Sequence, residues 1–377
     1  MSESYILGIE TSCDETAAAV VGNGERLLSN VVSSQIATHQ PYGGVVPELA
    51  SREHLRAIVP VVREALRAAG KSYESIDAIA VTQGPGLAGA LLVGISYAKA
   101  LAFSLEKPLI TVNHLEGHIH AVLLEEKQKG NFQIDFPLLA LVVSGGHTHL
   151  FLAEQRGHGW SYTNIGRTRD DAAGEAYDKV AKLLGLGYPG GPVIDALAPH
   201  GNPRAVKFGS AQIKHRNRGT PKDRQTPYDF SFSGIKTAVL RYVELENMRP
   251  AIAARQQALA AMATPRADDV LPLCDKKTLD LVASFQRAVV EDLVSKTLEA
   301  AEERGVRTLF VTGGVAANSE LRSHFIREGA QAGLAVYFPS RRLSTDNAAM
   351  IAAGAYPKFL AHEFADAEFS ADASLAL

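Results

Sequence analysis

Two stretches of the chain repeat one design, in which an apolar strand is followed by a turn of small residues and a second strand. The first covers residues 6–21 and the second covers residues 138–153. Strand-like runs at 78–81 and 309–312 precede glycine-rich turns and helical patterns. Strands that alternate with helices indicate an α/β protein, and the repeated hairpin predicts one unit used twice. With 377 residues, the chain is long enough for two domains.

Helical patterns bury apolar faces at helical spacing after these turns. They predict helices over residues 88–105, 113–128, 171–184, 279–304, 319–332 and 347–359. Residues 247–277 are rich in Ala, Gln and Pro and predict a helical insert. The sequence shows neither a signal peptide nor an uninterrupted apolar run of about 18 residues, so we expect no membrane segment.

The charge balance limits how the chain can contact a polyanion. Its 38 Lys and Arg residues face 41 Asp and Glu residues, for a net charge of -3, which excludes binding to nucleic acid through an overall positive field. The densest basic segment, residues 204–224, predicts an exposed loop that is either solvated or in contact with phosphates. The two cysteines, Cys13 and Cys274, are too few for a disulfide framework or a thiolate cluster. We therefore expect a cytoplasmic protein whose metal ligands are His and carboxylate.

The strongest chemical signal is a pair of histidines, His114 and His118, four residues apart on a predicted helix. Residues at this spacing share one helix face, so both imidazoles can bind one metal ion. The best third ligand is Asp346, at a predicted helix start. The alternative is that Asp346 caps that helix and the histidines bind nothing. We expect His118 at the helix surface, where its loss would cost little stability.

The histidine pair differs from the zinc-protease pattern in the place of its glutamate. In His-Glu-x-x-His the catalytic base directly follows the first histidine, whereas Glu116 stands one residue later. At about 100° per residue, Glu116 is turned by roughly 200° from His114. We expect it to complete a capping box with Asn113, which makes a metalloprotease a poor interpretation.

Glycine-rich turns form the second signal. Backbone N–H groups at Ser144-Gly145-Gly146, at 313–314 and at 84–89 suit a phosphate, and together they predict a nucleotide in a cleft between two domains. Asn318 is positioned to contact a ribose or base, or simply to cap a helix. Asp14, beside Glu15, is placed to accept a proton or bind a cation, although turn chemistry alone explains an aspartate there. Asp178 faces either the cleft or solvent.

The motifs at residues 8–16, 114–118, 143–148, 170–178, 232–237, 313–318 and 346–347 together resemble the bacterial tRNA N6-adenosine threonylcarbamoyltransferase family. This resemblance implies a duplicated ribonuclease-H-like α/β fold of the actin, hexokinase and Hsp70 superfamily, with an interdomain cleft. We expect the N-terminal domain to comprise residues 1–130 plus 345–377, with the C-terminal helix packing back, and the second domain to comprise residues 131–344. The 247–277 insert is longer than is usual in the family, and Ser344 stands where a cysteine is common.

The same resemblance implies the reaction and its participants. The threonylcarbamoyl group would pass from threonylcarbamoyl-AMP to N6 of adenosine 37 in tRNAs that read codons beginning with A, which forms t6A and releases AMP. His114, His118 and Asp346 would bind one divalent metal ion per subunit, iron(II) first and zinc second. The implied partners are tRNA, a dimerising paralogue and a small ATPase. The implied contacts to the adenylate are Val142, Val143, Ser144, Gly145, Gly146, Asp178, Gly191 and Asn318.

Transfer to N6 needs a base, because the lone pair of N6 is delocalised into the ring. Asp14 is our candidate for that role. Two other functions fit the fold class. A small-molecule kinase would leave the histidine pair without a task, and a nucleotide-gated scaffold would need a peptide-binding domain that we do not expect here.

Overall fold

Two five-stranded sheets with the same topology form the framework of the computed structural model, which describes residues 3–130, 132, 134–209, 226–262, 266–366 and 368–377. The first sheet has the order β3-β2-β1-β4-β5 and the second has the order β10-β9-β6-β7-β8. Their strands are β1 (Tyr5–Glu10), β2 (Glu15–Gly22), β3 (Arg26–Ser34), β4 (Ala78–Gly84), β5 (Leu109–Asn113), β6 (Leu138–Val143), β7 (Thr148–Arg156), β8 (Gly159–Arg167), β9 (Thr308–Thr312) and β10 (Ala335–Tyr337).

The pairing directions repeat as well. In each sheet the first three strands along the chain pair antiparallel, as β1-β2-β3 and β6-β7-β8. The remaining two strands lie on the other side of the first strand and are parallel to it. In the first sheet β4 pairs with β1 and β5 pairs with β4, and in the second sheet β9 pairs with β6 and β10 pairs with β9. This repetition confirms the α/β class and the duplicated unit.

Helices cover the faces of both sheets. They are α1 (Ile36–His39), α2 (Pro47–Ala69), α3 (Ala88–Leu105), α4 (His114–Gln128), α5 (Ala173–Leu183), α6 (Gly190–Leu197), α7 (Ser233–Leu245), α8 (Arg249–Ala260), α9 (Ala267–Val270), α10 (Lys276–Arg304), α11 (Ser319–Gln331), α12 (Arg341–Ser344) and α13 (Ala348–Leu360). Six of them confirm the predicted helices to within a few residues. Helix α2 was not predicted from the sequence; it contains Pro60 and nevertheless buries Ile58, Val61 and Val62 against the first sheet.

Helix α4 lies between the two sheets and is buried from His114 to Leu124. One side, which includes Leu115 and Ile119, packs with strands of the second sheet, while Leu124 packs with the first sheet and α13. Helix α13 also lies very close to β1, where a Cβ on Gly8 would meet the carbonyl oxygen of Ala348 at 2.3 Å. The histidine-bearing helix is therefore held at the centre of the molecule.

The 247–277 segment forms α8 and α9, and it is attached to the core by a buried arginine. Arg255 donates hydrogen bonds to the carbonyl oxygens of Leu184 and Leu273 and to the hydroxyl of Thr278. The described part of this segment is therefore mainly helical. Most of the predicted basic loop, residues 210–225, lies outside the described residues.

Among the described helices, α3 is long and apolar enough to cross a membrane, judged by length and composition alone. A third of its 18-residue window is buried (33%). In the structure this helix packs against α2 and β4.

Candidate active site

The junction of β5 and α4 places both histidines. Asn113 ends β5 and caps α4 by accepting a hydrogen bond from the backbone N–H of Leu115 at 2.9 Å, as expected. The expected capping box with Glu116 is wrong, because this carboxylate accepts a hydrogen bond from Lys358 Nζ at 3.0 Å and ties α4 to α13. One turn apart, the rings of His114 and His118 meet edge to face with centroids separated by 4.7 Å.

Asp346 is available to join the two histidines because the neighbouring residue, Asn347, caps α13. Asn347 accepts a hydrogen bond from the backbone N–H of Met350 at 3.1 Å and so begins α13. Asp346 Oδ1 lies 3.1 Å from His118 Nε2 and 3.6 Å from His114 Nε2. The interpretation of Asp346 as a helix cap is therefore wrong, and the three side chains converge.

The electrostatics of this group are dominated by buried opposite charges. Burial opposes ionisation of Asp346, yet the adjacent His114 and His118 hold the pKa of its carboxyl well below the usual range. Burial likewise opposes protonation of His114, but the carboxylates of Asp346 and Glu10 raise its pKa to about 9. Burial lowers the pKa of His118, so the two imidazoles differ in basicity.

This donor set fits a divalent metal ion. Its three ligand atoms lie within 4.8 Å of one another. At metal–ligand bonds of about 2.0–2.2 Å, neighbouring ligand atoms lie roughly 3–3.5 Å apart, close to the distances between Asp346 Oδ1 and the two Nε2 atoms. Two imidazoles with one carboxylate suit zinc or iron(II).

A cavity of about 380 Å³ lies beside the three side chains, and its wall includes His114, Asp346 and Asp14 together with residues 144–146. A Cβ added to Gly145 or Gly146 would meet no atom within 4 Å. The turn therefore leaves room for a ligand to approach its backbone. Of the residues predicted from sequence, the structure thus brings His114, Asp346, Asp14 and the Ser144–Gly146 turn to one cavity. His118 is fully buried and reaches this group through its contact with Asp346.

The other residues predicted to contact the adenylate do not line this cavity. The side chains of Val142 and Val143 are buried in β6, whose backbone pairs with β7 on one side and β9 on the other. Asp178 Oδ1 accepts a hydrogen bond from the backbone N–H of Gly190 at 2.7 Å, beside Gly191, where an added Cβ would meet no atom within 4 Å. Desolvation raises the pKa of Asp178.

Asn318 is engaged within the protein. Its Oδ1 accepts a hydrogen bond from the backbone N–H of Leu321 at 2.9 Å, which caps α11, and its Nδ2 donates to Gln286 Oε1 at 2.8 Å. The capping alternative for this residue therefore describes what its side chain does in the structure.

Two further residues of this region, His147 and Glu10, had no role predicted from the sequence. His147 lines the cavity, its ring centroid lies 5.9 Å from that of His114, and burial lowers its pKa to about 3. Glu10 is completely buried beside His114. In the sequence, Glu10 could have been singled out as a carboxylate at the end of an apolar strand. His147 could have been singled out because it directly follows a glycine-rich turn.

Known proteins provide an independent comparison. A model of the tRNA N6-adenosine threonylcarbamoyltransferase family matches residues 26–353. The chain belongs to this family. A threonylcarbamoyltransferase of Koribacter versatilis (strain Ellin345) is 68% identical over the full length of both chains. One of Symbiobacterium thermophilum is 52% identical over 94% of this chain and 92% of its own. Membership confirms a transferase that modifies tRNA and disfavours the kinase and scaffold alternatives.

Solved structures agree on the fold. Full-length HypF in its phosphate- and nucleotide-bound form is 13% identical, with a TM-score of 0.54 over 97% of this chain and 47% of HypF. Component A of the Acidaminococcus fermentans (R)-2-hydroxyglutaryl-CoA dehydratase is 14% identical, with a TM-score of 0.50 over 94% of this chain and 98% of its own. These likenesses support the duplicated ribonuclease-H-like fold predicted for this threonylcarbamoyltransferase family member.

Proposed function

We propose that the chain transfers the threonylcarbamoyl group from threonylcarbamoyl-AMP to N6 of adenosine 37 in tRNAs that read codons beginning with A, with release of AMP. Family membership supports tRNA as the substrate. The observation that carries the detailed assignment is the convergence of His114, His118 and Asp346, two of which, His114 and Asp346, line the same cavity as the Ser144–Gly146 turn. The acyl group and the phosphate of one adenylate would lie between them.

In this proposal His114, His118 and Asp346 hold one divalent ion, for which iron(II) is the first candidate and zinc the second. Bound there, the ion would act as a Lewis acid on the carbamoyl carbonyl. Backbone N–H groups at residues 144–146 would hold the phosphate. The predicted contacts around this turn, which complete the adenylate site in our proposal, are Val142, Val143, Asp178, Gly191 and Asn318.

Asp14 is our proposed base for the N6 proton. It lines the cavity and only 9% of its surface is exposed. Burial and the neighbouring charge of Asp14 raise the pKa of Glu15. We assign the role of base to Asp14 because its carboxylate lies on the wall of the same cavity as the turn proposed to hold the phosphate.

We also propose the partners that the family resemblance implies. Exposed apolar side chains on α2 and α3, namely Leu55, Val59, Leu92 and Phe103, support a docking face for the dimerising paralogue. The small ATPase would join this assembly, and residues 204–224 would contact tRNA phosphates.

A tRNA substrate supports a cytoplasmic location. Packing of α13 on the first sheet supports domains of 1–130 plus 345–377 and of 131–344.

The test is reconstitution of the chain and its partners with unmodified tRNA and threonylcarbamoyl-AMP, followed by mass spectrometry of the tRNA nucleosides. We expect t6A and AMP in equal amounts, with Asp14→Asn slowing transfer but retaining AMP binding. The matched control is Asp292→Asn, on α10, because Asp292 does not line the cavity. Transfer at the wild-type rate by the Asp14 variant would exclude this residue as the base. Absence of t6A with the wild-type assembly would contradict the proposed reaction.

A further inference from the structure

Glu10 is a buried carboxylate at the end of β1, with 0% of its surface exposed. A carboxylate removed from water is costly unless hydrogen-bond donors surround it. The backbone N–H of Ser12 donates to its Oε1, and the hydroxyl of Thr82 donates to its Oε2 at 2.6 Å. His114 Nδ1 lies 3.2 Å from the same Oε2. Strand β1, strand β4 and helix α4 therefore meet at this one carboxylate.

The two nitrogens of His114 face different groups. Nδ1 faces Glu10 and the hydroxyl of Ser12, the latter at 3.1 Å, whereas Nε2 faces Asp346. An ionised carboxylate accepts hydrogen bonds and cannot donate them. The contact with Glu10 is therefore favourable when the proton of a singly protonated imidazole is on Nδ1, which leaves the lone pair of Nε2 directed toward Asp346.

The second histidine lacks such an arrangement. His118 Nδ1 is buried and has no hydrogen-bond partner among the described residues. Its backbone carbonyl accepts a hydrogen bond from the Thr312 hydroxyl at 2.8 Å, which positions the helix without selecting a tautomer of the ring. The orienting carboxylate thus acts on one of the two imidazoles.

We propose that Glu10 is a positioning residue of the metal site. Its carboxylate holds the proton of His114 on Nδ1 and aims Nε2 at the place between Asp346 and His118, which raises the affinity for a divalent ion. This role rests on the proposed His114, His118 and Asp346 site. Loss of a carboxylate that orients a ligand histidine typically weakens metal binding by about 10–100-fold.

The experiment is a zinc titration of the full chain against a competing chelator. Glu10→Gln keeps the shape of the side chain but removes its charge, and we expect zinc to bind about 10–100-fold more weakly. Thr82→Val is the matched control, because it removes a donor to the same Glu10 oxygen without touching His114. We expect its zinc affinity to fall by much less than the roughly 10–100-fold loss caused by removal of an orienting carboxylate. His118→Ala reports on the metal site itself.

The outcomes separate the two proposals. Wild-type zinc affinity in Glu10→Gln, with binding lost in His118→Ala, overturns the role of Glu10 and leaves the metal site standing. Wild-type affinity in His118→Ala contradicts the metal site and the role of Glu10 with it. Equal weakening in Glu10→Gln and Thr82→Val assigns the effect to the local fold and also overturns the role of Glu10.

A second variant and a spectroscopic signature cover the case in which Glu10→Gln does not fold. Glu10→Asp retains the charge but withdraws it from His114 by one methylene, and we expect its zinc affinity to fall below that of Thr82→Val. Nitrogen-15 NMR of the zinc-loaded wild type should show His114 protonated at Nδ1. A proton on Nε2, or wild-type affinity in Glu10→Asp, would overturn the proposal.

Discussion

Replacement of His118 by alanine tests two separate roles of this side chain, one in core packing and one in metal binding. His118 has 0% of its surface exposed, which contradicts our expectation of a surface imidazole whose loss costs little. Alanine leaves a cavity in the middle of α4 and removes the contact with Asp346 at 3.1 Å. By analogy with other large-to-small substitutions in cores, we expect the metal-free protein to lose about 2–4 kcal/mol of unfolding free energy.

His120 is the matched control because it lies on the same helix and is 2% exposed. Its Nε2 lies 3.2 Å from the Tyr162 hydroxyl, and its ring centroid is 5.0 Å from that of Trp160. His120→Ala should therefore cost the metal-free protein a similar amount. It removes no proposed ligand, so metal binding should survive.

The assay is urea unfolding of each variant with and without zinc. An ion that binds only the folded state adds about 2.7 kcal/mol at a free concentration of 100 times Kd. We expect this increment in the wild type and in His120→Ala, and we expect it to vanish in His118→Ala. The reasoning is refuted if His118→Ala retains the increment, or if both variants lose it together.

Three further predictions concern the ligands and the acid response. Gly145→Val should weaken AMP binding sharply in calorimetry, because its side chain would block approach of the phosphate to the backbone of the turn. The unfolding midpoint should stay unchanged, because an added Cβ meets no protein atom within 4 Å, and unchanged AMP affinity would count against the phosphate site. Replacing three basic residues together should reduce the salt slope of tRNA binding by about 0.7–0.9 per lost phosphate contact, with AMP affinity unaffected, and a wild-type slope would show that the loop is only solvated. These residues, which lie outside the described residues, are Lys214, Arg216 and Arg218. Burial, reinforced by the charge of Arg167, lowers the pKa of His149 from 6.5 to about 4, so stability present above pH 6.5 is lost as the pH falls toward 4; His149→Gln should show a smaller drop in unfolding midpoint over that range, and an equal drop would contradict this assignment.

Local patterns were enough to predict much of the fold. The strand runs at 6–21 and 138–153 predicted the duplicated hairpins, and Asn113 was predicted correctly as a helix cap. For Asn318, capping was one of two alternatives that the sequence left open. These features depend on side-chain periodicity and on hydrogen bonds between residues a few positions apart, which are written in consecutive letters. The four-residue spacing of His114 and His118 belongs to the same class, since a helix alone places both on one face.

Contacts distant in sequence were decided only by the tertiary structure. Helix α2 forms despite Pro60 because the first sheet buries its apolar face, a gain that no local propensity contains. The choice of Asn347 rather than Asp346 as the cap of α13 is invisible to a rule that favours either residue. Glu10 contacts His114, 104 residues away, only because the fold brings β1 and α4 together in the core. The low dielectric there strengthens the interaction between the carboxylate and the imidazole and makes an unpaired charge costly.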